Sequence, residues 1–231
     1  MIIKFIPIIL PLIVAIIGFK FSVKGTVNRL KKSSTELKEP QLTALIQKMS
    51  KELNLEHLKI YVYKIKQING IASPDGKIYL TEGFLNAYYS GKVTASELST
   101  VVAHELGHLA LGHTNKRTID FAGQTAIRIG LGFILGRIIP GIGFYLANIL
   151  AQLLSSKLSR NDEYAADAYA AALLKKSNIG TEPQISLLNK LDYLVNSNEI
   201  SQVSWLMSHP SSKDRVAEIV KLEEKWTQKP S

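Results

Sequence analysis

The chain has 231 residues, enough for one domain with a real core and too few for two large ones. Hydrophobic residues make up 46%, which excludes a largely disordered chain, and the lack of cysteine excludes disulfides, thiolate zinc ligands and thiol nucleophiles. A net charge of +9 points to an anionic neighbour, either lipid headgroups or nucleic acid.

The chain opens on an apolar run. No charge falls between Phe5 and Phe19, and with Ile2, Ile3 and Phe21 the run nears the length of a bilayer span. It ends in Gly18, Phe19, Lys20 and Phe21, a poor signal-peptide cleavage site, so an uncleaved anchor is expected. Pro7 and Pro11 are tolerated in lipid-embedded helices. Lys20, Lys24, Arg29, Lys31 and Lys32 follow the run and only Lys4 precedes it, which puts the C-terminal side in the cytoplasm. That cluster fits membrane lipid as a partner. Aromatic residues do not interleave with basic ones as nucleic-acid binding would require, so no nucleic acid is expected.

Lys31–Pro40 is polar, closes on proline and reads as a linker. Leu42, Leu45, Ile46, Met49 and Leu53 recur at helical spacing. Leu58–Ile65 and Lys77–Thr81 read as strands, with a turn at Ser73–Gly76, so a β-hairpin of some kind precedes the histidine-bearing segment. Thr94 and Glu97 form a capping-box pattern, and the helix they start is expected to run to Leu111 and stop at Gly112. Ile129–Leu154 carries one charge, Arg137, and Pro140-Gly141 at its middle. A buried pair of short helices, a hairpin on or in the membrane, and a full span compete there, the first favoured. Helices are expected over 157–228.

The helix begun at Thr94 carries H-E-x-x-H: His104, Glu105 and His108. Positions i and i+4 share a helix face, so both imidazoles can reach one ion. Glu105 is turned from direct ligation but can serve a water on the metal as base. His113 is out of register with the longer H-E-x-x-H-x-x-G-x-x-H pattern, and on a continued helix it points about half a turn away from His104. It is expected to be a non-ligand, a cation or cap at the helix end. For a third ligand, Glu163 and Asp167 share a face of a later helix. Spacing alone leaves this open, and an ordinary acidic face fits it as well or better.

HELGH, then SRNDEYAAD, then SHPSSKDRV together resemble peptidase family M48, the Ste24, HtpX and Oma1-like metallopeptidases. The likeness covers roughly Lys38 to Val220 and is nearer to the single-anchor, Oma1-type branch than to polytopic members. It implies a mainly helical α+β fold: a zincin-like domain with a small β-sheet before the H-E-x-x-H helix and an N-terminal membrane helix. The division it suggests is an anchor over 1–25, a linker over 26–40 and a peptidase domain over 41–228, with an apolar hairpin at 129–154. It implies one zinc ion held by His104, His108 and Glu163, with Glu105 as general base and His209 as oxyanion donor. Asp167 and Arg215 would support the ligands from behind. The segment NGIASPDGKIYLTEGFL would place Lys77, Ile78, Tyr79 and Leu80 beside the cleft, where an extended polypeptide substrate adds as a strand.

Two classes of function follow: a membrane-anchored zinc metalloendopeptidase, and a non-catalytic, chaperone-like module that keeps the fold. Every part of the motif set is present, which favours the enzyme. A deformylase would need a cysteine ligand. Thermolysin-like enzymes place the third glutamate far sooner after the motif than Glu163 stands here.

Overall fold

A computed structural model describes residues 6–113, 132, 134–196 and 211–228. Helix α1 spans Ile6–Lys32. It carries the chain straight through the first part of the expected linker, and the next residues, Ser34–Glu36, form strand β1. The polar stretch is thus not a spacer. Its backbone is taken up by antiparallel pairing with β2 (Ile60–Tyr63), and Lys31 at the end of α1 pairs with Asp75 at 3.1 Å. Among the described residues no helix is long and apolar enough to cross a membrane. Ile13, Ile17 and Phe21 of α1 are exposed.

Helix α2, Pro40–Glu52, starts with proline at its first turn, where a missing N–H costs nothing, and buries Leu42, Ile46 and Met49. Strands β3 (Gly70–Ala72) and β4 (Ile78–Thr81) complete a four-stranded sheet in the order β1-β2-β4-β3. The expected hairpin exists, but its partners are β3 and β4, joined by the Ser73–Gly76 turn. Gly76 sits at φ +79°, and its N–H donates to the Ser73 carbonyl at 2.9 Å. The two longer apolar segments, β2 and β4, pair in parallel, with β3 intervening in the chain. Helix α3 is Glu82–Tyr89.

Helix α4, Ala95–Ala110, is the centre of the molecule. Its capping box is complete: Glu97 N–H donates to Thr94 Oγ1 at 3.1 Å and Thr94 N–H donates to Glu97 Oε2 at 2.8 Å. Every residue from Glu97 to His108 is buried. The sheet (β3 and β4), α2 and two later helices surround it, so no face is left to water. Leu98 and Val102 lose all solvent contact, each contributing roughly 1.5–3 kcal/mol. Gly112, at φ +71°, ends the helix as its residue type predicts.

In the apolar segment, 134–138 is helical, and a turn through Pro140 and Gly141 leads into α5, a single helix over Gly143–Lys176. A Cβ on Gly143 would fall 2.2 Å from the Leu135 carbonyl group, so glycine is required for this approach. The expectation of a buried helix pair holds for Ala147 but not for the large apolar side chains around the turn. Ile134, Ile138, Ile142 and Tyr145 are all more than half exposed. Helices α6 (Glu182–Asn196) and α7 (Ser212–Gln228) pack on each other, α6 also on α4 and α7 on α5.

Candidate metal centre

Three polar groups meet where α4 crosses α5. His104 and His108 project from one face of α4, and Glu163 reaches them from α5. The two Nε2 atoms lie 3.2 Å apart. Glu163 Oε2 is 3.3 Å from His104 Nε2, and Oε1 is 3.3 Å from His108 Nε2. All three residues are at most 4% exposed.

This donor set fits a zinc-sized cation. One ligand atom from each residue lies within 4.8 Å of the other two, and each imidazole Nε2 meets one of the two carboxylate oxygens at 3.3 Å, close to the separation of about 3.3–3.4 Å that tetrahedral bonds of about 2.0–2.1 Å require. Two imidazoles and one carboxylate are borderline donors of the kind zinc takes.

The close crossing rests on residues that H-E-x-x-H does not name. A Cβ on Gly107 would lie 2.8 Å from the Ala166 carbonyl oxygen and 3.0 Å from its Cα. Glycine on α4 and alanine on α5 thus let the backbones touch, which brings Glu163 within reach. On the other side, a Cβ on Gly70 would fall 2.6 Å from Val101 Cγ1 and 2.9 Å from Glu105 Oε1. Strand β3 therefore lies directly against the Glu105 side chain, which is buried beside the ligands.

Behind His104 stands a charged pair. His104 Nδ1–H donates to Asp167 Oδ1 at 2.9 Å. Arg215 of α7 grips the same carboxylate with two bonds of 2.7 Å, Nε to Oδ2 and Nη2 to Oδ1. Burial alone would lower the pKa of His104, but the adjacent Asp167 charge and the bonds to Asp167 and Glu163 push it up to about 9. A proton held there must leave before the ring can act as a ligand. Burial likewise opposes ionisation of Asp167, but the Arg215 guanidinium and His104 hold its pKa well below the carboxylate range. Burial also works against the charge on Arg215, and Asp167 reverses this and raises its pKa.

His113 is placed differently from expectation. It is not among the converging donors, as expected, but its contact is with a residue of the site and not a cap on the helix end. It is 6% exposed, and its Nδ1 lies 2.9 Å from His108 Nδ1. The extrapolated helix misplaced it: α4 ends at Ala110, and the left-handed Gly112 turns the chain back toward the site. His209 lies outside the described residues. Lys77 lies over the Tyr61 ring at 4.8 Å. Ile78, Tyr79 and Leu80 are buried in β4, which is hydrogen-bonded on both sides, so its backbone offers no edge to a substrate. The outer strand nearest Glu105 is β3.

A buried His-Glu-x-x-His helix, a carboxylate from a later helix and a small sheet beside them define a zincin-like metallopeptidase domain. Residues 36–223 match the model of peptidase family M48, and the chain belongs to that family. It is 28% identical to the metalloprotease LoiP of Escherichia coli over 182 residues, covering 78% of this chain and 68% of that protein. It is 25% identical to a protease HtpX homolog of Acaryochloris marina, covering 83% and 75%. A further 25% match, covering 78% and 67%, is to the Escherichia coli metalloprotease YcaL.

Proposed function

We propose that this metallopeptidase is a zinc-dependent endopeptidase, tethered to a membrane by its N-terminal segment and cleaving polypeptides. The observation that carries the reading is the triangle of His104, His108 and Glu163, with Glu105 on the same helix at the wall of the site.

A zinc ion held by the three donors would supply Lewis acidity to a peptide carbonyl and to water. Glu105 takes a proton from the attacking water and delivers it to the departing amine. Asp167 and Arg215 keep His104 turned so that Nε2 faces inward. His209 serves as hydrogen-bond donor to the carbonyl oxygen as it gains charge. The substrate adds as a strand at the outer edge of β3, passing Gly70 beside Glu105, a role the sequence had suggested for β4.

Membrane attachment is supported by exposed apolar side chains on α1 (Ile13, Ile17 and Phe21) and around the 139–142 turn (Ile134, Ile138, Ile142 and Tyr145). The basic residues Lys20, Lys24, Arg29 and Lys32 of α1 suit anionic headgroups and, by the positive-inside rule, support a cytoplasmic side for the catalytic domain in this reading.

The test is Glu105→Gln. The variant is expected to bind about one zinc per chain, as the wild type does, and to lose cleavage of an unfolded protein such as casein. Equal digestion of casein by the two proteins would sink the enzyme reading and leave the non-catalytic module.

A further inference from the structure

The two ligand imidazoles each have a second ring nitrogen, and each must be satisfied in a buried site. For His104 the partner is Asp167. For His108 the partner is another histidine, His113, at 2.9 Å between Nδ1 atoms. We propose that His113 is a positioning residue for the metal site, acting through His108, and that Asp162 sets the tautomer that lets it do so. The inference rests on the reading of His104, His108 and Glu163 as metal ligands.

The argument is one of donor and acceptor counting. If His108 offers the lone pair of Nε2 to the ion, its proton sits on Nδ1. A hydrogen bond between two Nδ1 atoms needs one donor and one acceptor. His113 Nδ1 must therefore be the bare nitrogen, and the proton of that ring sits on Nε2. His113 Nε2 lies 3.6 Å from Asp162 Oδ1, and a carboxylate at that distance favours the nitrogen beside it as the protonated one. Asp162 directly precedes the ligand Glu163 on α5, so ligand and tautomer control arrive on the same turn of helix. The rings of His108 and His113 meet edge-on, centroids 5.2 Å apart at 65°, which fixes the plane of His108 as well as its proton.

Conformation adds a constraint. His113 reaches this position because Gly112 adopts φ +71°, where a side chain is strained. Gly112 and His113 thus form a return loop that braces the second ligand from the C-terminal end of its own helix.

The experiment measures the zinc affinity of the metal-free full chain by competition with a chelating dye, together with thermal unfolding of the same metal-free proteins. His113→Leu removes the acceptor and is expected to weaken zinc binding roughly 10- to 100-fold, the usual effect of losing a ligand's orienting partner. His113→Asn can place its amide oxygen where Nδ1 stood and is expected to restore most of that affinity. Asp162→Ala is expected to give a smaller loss in the same direction. In the cobalt-substituted protein, the visible spectrum should change with His113→Leu and return with His113→Asn. Wild-type affinity in a folded His113→Leu variant would overturn the proposal. So would equal loss in His113→Leu and His113→Asn with an unchanged cobalt spectrum, which would mark His113 as packing only. Glu163→Ala separates this from the ligand assignment: zinc binding that survives it overturns the donor triangle itself, whatever the His113 variants do.

Discussion

The two imidazoles that face each other across the site are braced from behind by unlike structures. His104 leans on a buried ion pair drawn from two other helices, Asp167 on α5 and Arg215 on α7. His108 leans on a residue five positions along its own chain, with Asp162 behind it. One brace depends on three helices having packed, and the other on a local turn backed by a single residue of α5. The difference predicts that damage to the first spreads through the fold, while damage to the second stays at the site.

The largest expected effect comes from Arg215→Met. It leaves the Asp167 carboxylate buried without its cation, and the loss of stability should be about 3–5 kcal/mol by urea unfolding. Replacing Asp167 by leucine in the same protein should recover much of this, because removing both charges avoids the uncompensated one. Zinc affinity should not recover, because His104 still lacks its acceptor. Recovery of both would mean that the ion pair supports only the fold.

Gly107→Ala should come next, and it strikes both imidazoles at once. The added methyl meets the Ala166 backbone, so α4 and α5 must part. A cost of about 1–3 kcal/mol is expected. Zinc binding should weaken too, because Glu163 moves with α5. Unchanged affinity would show that the carboxylate has slack that the triangle of distances hides.

The smallest effect is a control at the far end of α4. Glu97 is buried, caps the helix and is bonded from α6 by Ser186 Oγ at 2.6 Å and Lys190 Nζ at 2.7 Å. Burial opposes its charge, but these partners and the Thr94 N–H hold its pKa below the usual carboxylate value. Its contribution is therefore full above that ordinary value and is lost as pH falls through the depressed one. Glu97→Gln should cost about 1 kcal/mol near neutral pH, flatten the acid limb of the stability profile and leave zinc affinity unchanged.

What the sequence disclosed followed the range of the interaction. The capping box at Thr94, the stop at Gly112 and the pairing of His104 with His108 depend on neighbours within a few residues, and all could be read directly. Glu163 depends on how two helices cross, which residue spacing does not encode, so spacing favoured an ordinary acidic face until the family likeness was drawn. Gly107 gave no local signal, since a glycine inside a helix is costly for propensity and explained only by Ala166. His113 was misplaced by extending the helix past the glycine already recognised as its end. The order of the strands was hidden because β2 pairs in parallel with β4 while β3, which lies between them in the chain, adds to the other edge of β4, and no local turn encodes that order.

The contact between Gly107 and Ala166 has a thermodynamic consequence. The helix that donates the third ligand touches the helix of the other two backbone to backbone, so closing that interface and assembling the donor triangle are one event. Any cation that prefers the assembled triangle must stabilise the folded chain by mass action, and whatever loosens the interface must release the cation by the same free energy. The metal would then be a structural bolt as well as a reagent, and its supply would set how long the protein survives, not only how fast it works.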